Sequence, residues 1–197
     1  MLTFAEYCLQ RGWEVEVFWE DEETVEKVAK RFNLKLSNLI CNKQIYKSLQ
    51  EGASYISRIQ KWWELRSYDL LFFLSDGSIP TLRAKHNWLH FQVPFQLEPD
   101  AWTRKKLAKI NRVICNSQFT KHFIDDSFGI NAEVIYPPVA VHEFSAKHPQ
   151  KENIILSVGR FDQIMNAKRQ DVLVSVFRQM VDEGLTNWKL VLAGGRQ

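Results

Sequence analysis

The sequence predicts an α/β fold with parallel sheets, and three observations predict it. Short, nearly continuous apolar runs at 69–74 and 154–158 end in turn residues, the pattern of strands buried on both faces. Between the apolar runs lie stretches whose hydrophobic residues recur at helical spacing. The segment 153–195 is then strand, helix, strand in the length of one βαβ unit, whose crossover is expected to be right-handed.

Taken in order, Leu2, Ala5, Cys8 and Leu9 form a helical stripe that stops at Gly12. Residues 13–19 follow as a strand, with Val15, Val17 and Trp19 on one face and Glu14 and Glu16 on the other. The stretch 21–32 reads as a helix whose acidic start suits the positive end of its dipole. A weak strand at 36–41 precedes a helix over 55–68 with Ile56, Ile59, Trp62, Trp63 and Leu65 as its apolar side, aromatics best read as core. The strand at 69–74 runs into the turn Ser75-Asp76-Gly77-Ser78, and HNWLHFQVPF at 86–95 is strand and loop. Asp100 is placed to cap a helix over 101–112. A strand at 113–115 leads to Ser117, which caps a helix that Gly129 ends, and 132–136 is the next strand. Pro137-Pro138 removes two backbone donors and stiffens the exit. Two domains follow, 1–140 and 153–197, joined by a linker at 141–152. In the second, Val172, Leu173, Val176, Phe177 and Met180 form the apolar stripe of a helix, Gly184 sits at its C-cap, and a strand from Trp188 ends at Gly194-Gly195.

Composition narrows the function. The chain has 197 residues, enough for a sizeable core, with 45% hydrophobic and 25% charged residues, as in ordinary globular proteins. A net charge of +3 does not argue for nucleic acid as partner. Cys8, Cys41 and Cys115 are far apart without a C-x-x-C, which indicates neither a zinc site nor a disulfide framework and fits a reducing cytoplasm. No apolar run approaches the ~20 residues of a membrane span. There is no G-x-x-x-x-G-K-[ST] and no G-x-G-x-x-G after a strand, so nucleotide kinases, ATPases and ordinary dehydrogenases lose support.

Ligands of open α/β sheets bind outside the carboxyl ends of strands. In the second domain Gly159, Arg160 and the loop to Lys168 hold that position. Gly159 permits close approach of backbone to ligand, Arg160 offers a planar fork of donors, and Lys168 adds a compact cation at the start of a helix. The set reads as a diphosphate cradle; spacing alone also admits two solvated loop charges.

SVGRF at 157–161, KRQDVLVSVFRQM at 168–180 and WKLVLAGG at 188–195 resemble the first half of the donor-binding domain of glycosyltransferase family 4. NSQFTKHF at 116–123 and VIYPPV at 134–139 match that family in the expected order. The resemblance implies a GT-B fold: two Rossmann-like domains with parallel sheets, both incomplete. On that reading the first strand and its glycine-rich loop precede Met1, and the E-x7-E element lies beyond Gln197. It further implies a retaining transfer of sugar from a nucleoside-diphosphate-sugar donor to a sugar or lipid-linked acceptor, with Arg160 and Lys168 neutralising the departing diphosphate. No metal and no cofactor is required at that position.

The resemblance singles out His90 as the catalytic position, since family members carry a histidine in such an apolar strand-loop, facing the donor sugar across the cleft. From the residues alone, His90 reads first as a histidine satisfied by backbone groups, and it is the resemblance that shifts the reading. His86, four residues earlier, shares its face only if the segment is extended. Asp76, Gly77, Asn116 and Ser117, at strand carboxyl ends, are further cleft candidates. Along 101–112, Arg104, Lys105, Lys106, Lys109 and Arg112 have no acid between them. They form either a solvated helix face or a peripheral contact with anionic lipid at the inner face of the membrane. The alternatives to an enzyme are a non-catalytic binding module that keeps only the fold, and a basic surface protein acting through 101–112.

Overall fold

The computed structural model describes residues 1–49, 55–96, 98–139, 151–161 and 168–195. The chain divides into two compact units, Met1–Val139 and Ala140–Gln197. Of the expected linker at 141–152, only Lys151 and Glu152 fall within the described residues.

The first unit mixes helices and strands along the chain: α1 (Leu2–Gln10), β1 (Val15–Val17), α2 (Glu22–Arg31), β2 (Leu39–Cys41), α3 (Lys43–Leu49), α4 (Tyr55–Glu64), β3 (Leu70–Ser75), β4 (His86–Phe91), α5 (Ala101–Leu107), β5 (Arg112–Cys115), α6 (Gln118–Phe128) and β6 (Glu133–Val134). All strand pairs are parallel: β1 with β2, and a four-stranded sheet in the order β3-β4-β5-β6. The α/β class with parallel sheets expected from the sequence is the class observed. Residues of β3 pair with β4 from Leu70↔His86 to Ser75↔Phe91. Alternation along β4 then buries Asn87, Leu89 and Phe91 on one face and turns His86, Trp88 and His90 to the other.

The buried face meets α6. Phe91 stacks on Phe128 with ring centres 5.5 Å apart, and Ile79, Leu89, Cys115 and Ile124 close the cluster. Each such large side chain contributes about 1.5–3 kcal/mol by leaving water. Burial pushes the Cys115 thiol up to about 11. On the opposite face Phe4 of α1 lies 5.1 Å from Phe72 and 6.3 Å from Trp88. The short first sheet is tied to the second by side chains. Glu16 of β1 accepts hydrogen bonds from the Tyr68 hydroxyl and, at 3.0 Å, from Asn42 Nδ2.

Caps set the helix starts where the sequence marks them. Asp21 accepts from the Glu23 and Thr24 amides, Asp100 from Thr103, and Ser117 from Thr120. Gly129 ends α6 at φ 64°, a left-handed conformation that glycine adopts without strain. The helix expected over 101–112 is shorter, ending at Leu107. Asn111 and Asn87 engage each other there, Asn111 N–H donating to the Asn87 carbonyl and Asn87 N–H to Asn111 Oδ1, which draws the chain into β5 from Arg112. One element not expected from the sequence is α3; Asn42 caps it by accepting from the Ile45 amide at 3.0 Å.

The second unit is β7 (Ile154–Val158), α7 (Gln170–Asp182) and β8 (Lys189–Ala193), with β7 and β8 parallel from Ile154↔Lys189 to Val158↔Ala193. The predicted two-sided burial of β7 is not what forms. Leu156 and Val158 stand 60% and 71% exposed, because among the described residues one helix packs on a two-stranded sheet and shields one face. Along α7, Leu173 and Phe177 are half-buried, whereas Val172, Val176 and Met180 remain exposed.

Candidate functional site

In the second unit two glycines bring the strand ends together. Gly159 N–H donates to the Ala193 carbonyl at 2.9 Å, and a Cβ on Gly194 would lie 1.9 Å from the Gly159 carbonyl oxygen. A Cβ on Gly159 would lie 2.8 Å from Lys168 Cγ, so the aliphatic stem of Lys168 lies across the bare backbone at the carboxyl end of β7. Arg160, next in the chain, is exposed, and its carbonyl accepts from Gln170 Nε2 at 2.9 Å. Lys168 therefore sits just ahead of α7 rather than within its first turn, which begins at Gln170. The helix starts without a side-chain cap, from Arg169 in a left-handed conformation at φ 45°. Arg169 pairs with Asp171 at 3.2 Å. The structure thus brings Gly159 and Lys168 together at one strand end, with Arg160 adjoining. Residues 162–167 of this loop lie outside those described.

In the first unit, strand register places the other candidates at one end of the sheet. His90 pairs with Leu74 and Ile114, while Asp76 follows β3 and Asn116 follows β5. His90 stacks on Phe72 at 5.9 Å, and its Nδ1 is buried without a hydrogen-bond partner among the described residues. It is therefore not a histidine satisfied on both ring nitrogens. Burial, and secondarily the Met1 ammonium, hold its pKa below the ordinary 6.5, so the imidazole is neutral at pH 7. His86 and His90 share a face because the segment is extended, but His86 is exposed at the other end of β4.

The remaining candidates are committed to local structure. Asp76 Oδ1 accepts from the Ser78 hydroxyl at 2.8 Å and the Ser78 amide at 3.2 Å, which keeps its carboxyl below the usual carboxylate range. Gly77, at φ 117°, lets the Phe95 ring approach to 2.7 Å of where a Cβ would be. Asn116 Nδ2 donates to the Gln92 carbonyl at 2.7 Å, and its Oδ1 accepts from Thr120 Oγ1 at 2.8 Å. Ser117 caps α6. These four shape the strand ends.

The cations of 101–112 do not form one face, since Lys109 follows α5 and Arg112 opens β5. Lys106 reaches inward to the Ile79 carbonyl at 2.9 Å, Arg104 Nε donates to the Pro99 carbonyl at 3.1 Å, and Arg112 pairs with Glu133 at 2.9 Å. Lys105 and Lys109 remain exposed. Among the described residues no helix is long and apolar enough to cross a membrane.

Gln170, which anchors Arg160, and Gly194, which seats Gly159, are contributors that motif spacing does not mark as functional. The Gly-Gly after the last strand is the visible signal for Gly194, and Gln170 has none. The family described as Glycosyltransferase Family 4 matches residues 1–143, a stretch that includes His90, Asp76, Gly77, Asn116 and Ser117 and stops short of Gly159. No curated protein matches the chain. Matched over well more than half its length, and built on parallel sheets with helical crossovers, the chain belongs to glycosyltransferase family 4.

Proposed function

We propose that this chain serves a retaining glycosyltransferase that takes a nucleoside-diphosphate sugar as donor and a sugar or lipid-linked hydroxyl as acceptor. Membership of the family supports a glycosyltransferase-type function; the donor class is argued from the second unit. The observation that supports it most is the strand end at Gly159, where a missing side chain lets Lys168 lie against the backbone beside Arg160. The uncapped start of α7 adds amides pointing at the same region, favourable to an anion.

In the transfer the bond from the anomeric carbon to the diphosphate oxygen breaks and the acceptor oxygen bonds to that carbon. Negative charge then builds on the leaving diphosphate. Arg160 and Lys168 would stabilise that charge directly, a role that needs no metal there. His90, held neutral near the carboxyl end of β4, is suited to hydrogen-bond a hydroxyl of the transferred sugar or the acceptor.

The test is calorimetric titration of UDP, GDP and ADP into the chain and into Arg160→Ala and Lys168→Ala. A charge-assisted hydrogen bond is worth roughly 1.5–3 kcal/mol, so each variant should bind about tenfold to a hundredfold more weakly. Equal affinity in all three proteins would remove the diphosphate cradle and leave the non-catalytic binding module as the better reading.

A further inference from the structure

We propose that the first unit carries a second anion site, for a phosphate-type group, at the amino ends of β3 and β4, opposite the strand ends that hold Asp76 and Asn116. A recess of about 340 Å³ opens there. Four of the residues lining it, Arg66, Arg83, Lys85 and Lys109, are cationic, and none is acidic. Its volume lies in the usual range for small-ligand sites.

The recess is built by a rigid polar frame. Asn87, buried in β4, accepts from the Ala84 amide at 3.0 Å and donates to the Ala84 and Lys109 carbonyls at 3.1 and 3.2 Å. Its own amide donates to Asn111 Oδ1 at 2.6 Å. These bonds fix the segment that carries Arg83 against the turn that carries Lys109.

Within that frame the two arginines lie on aromatic rings rather than on carboxylates. Arg66 and Arg83 both stack on Trp62, their guanidinium carbons 4.9 and 4.5 Å from the ring centre. One indole thus engages both guanidinium groups, and both belong to a recess that no carboxylate lines. Among the described residues Arg66, Arg83 and Lys109 make no ion pair, and Lys85 reaches Asp69 only at 4.0 Å with both side chains exposed. Arg83 Nε is buried with no hydrogen-bond partner among the described residues. Buried donors left unspent in this way are rare.

Two guanidinium forks and two ammonium groups favour a tetrahedral oxyanion, which accepts bidentate bonds from arginine and tolerates lysine as a point charge. The shared chemistry is a phosphomonoester or diphosphate, free in solution or displayed on a lipid headgroup. This site lies in a different unit from the cradle of Gly159, Arg160 and Lys168 and does not depend on it.

The experiment uses the full chain with Arg160→Ala and Lys168→Ala, so that the cradle is not what is read. Pyrophosphate is titrated calorimetrically at low salt, and vesicles of phosphatidylcholine, with and without phosphatidic acid, are tested by flotation. Saturable pyrophosphate binding is expected, weakened at least tenfold by Arg83→Gln and by Lys109→Gln. Lys109→Gln keeps the backbone carbonyl that Asn87 uses, so it remains informative if Arg83→Gln fails to fold. Binding to phosphatidic acid vesicles alone, lost in the same variants, assigns the anion to a lipid headgroup. No binding of either probe, or binding that both variants leave unchanged, overturns the site.

Discussion

Gly194 tolerates no side chain. A methyl group there would meet the Gly159 carbonyl oxygen at 1.9 Å, and backbone cannot move aside as a lysine stem can. Gly194→Ala should cost about 3 kcal/mol in chemical denaturation, while Gly195→Ala, which meets open space, should be nearly neutral. Gly159→Ala collides instead with the side-chain stem of Lys168, so it should disturb nucleotide affinity more than stability. His90 gives a pH test. Its folded pKa lies below the unfolded 6.5, so the neutral ring's contribution to stability is intact above that pH and is lost as pH falls from about 6.5 toward the folded value. Denaturation of His90→Phe across that window should lack the acid-side loss seen in the parent chain; identical profiles would exclude His90 as its source. The sequence shows that His90 lies on an apolar strand near its carboxyl end. It does not show the orphaned Nδ1, because that depends on Phe72 and α1 arriving from elsewhere in the chain.

At the level of elements, caps were the most legible feature. Asp21, Asp100 and Ser117 each do what a short oxygen-bearing side chain before an apolar stripe should do. Ser117→Ala should therefore destabilise the first unit by about 1 kcal/mol, measured by thermal or urea unfolding, without altering nucleotide affinity. A change in affinity at constant stability would instead return Ser117 to the ligand. Asn42 carried the same signal for α3, but seven residues give too short a stripe for periodicity to stand out. The α5 boundary was illegible for another reason. Helical propensity continues through Lys109, and it is overruled by Asn87, which lies more than twenty positions earlier and joins only in the folded state. Strand β7 misled in the opposite direction: its unbroken apolar run predicts two covered faces, yet cover is a property of neighbours, and one helix shields one face.

At the scale of the whole molecule, the alternation of apolar runs with helical stripes disclosed the α/β class, because parallel strands need crossovers and most of those are helices, β3 to β4 being joined without one. It could not disclose which cations converge, since Arg66, Arg83 and Lys109 are distant in sequence and meet through Trp62 and Asn87. The two units offer separate optical reporters, because Trp188 is the one tryptophan of seven that lies after Val139. A nucleoside diphosphate at a hundred times its Kd should stabilise the unit it binds by about 2.7 kcal/mol. With the other six tryptophans replaced by phenylalanine, Trp188 fluorescence should report a higher melting temperature in GDP or UDP. An unmoved Trp188 transition at saturating nucleotide would place the ligand elsewhere.

The junction at Glu16 has a consequence in alkali. The Tyr68 hydroxyl donates to a carboxylate that cannot return the bond once the phenol has ionised, so burial and then Glu16 raise the Tyr68 pKa well above 10. A folded pKa above the unfolded one means that this tie is at full strength below pH 10 and weakens as pH climbs toward the folded value. Ultraviolet titration of phenolate should show one tyrosine lagging behind the exposed ones. Tyr68→Phe should erase that lag and, with it, the alkaline loosening of the short first sheet from the larger one.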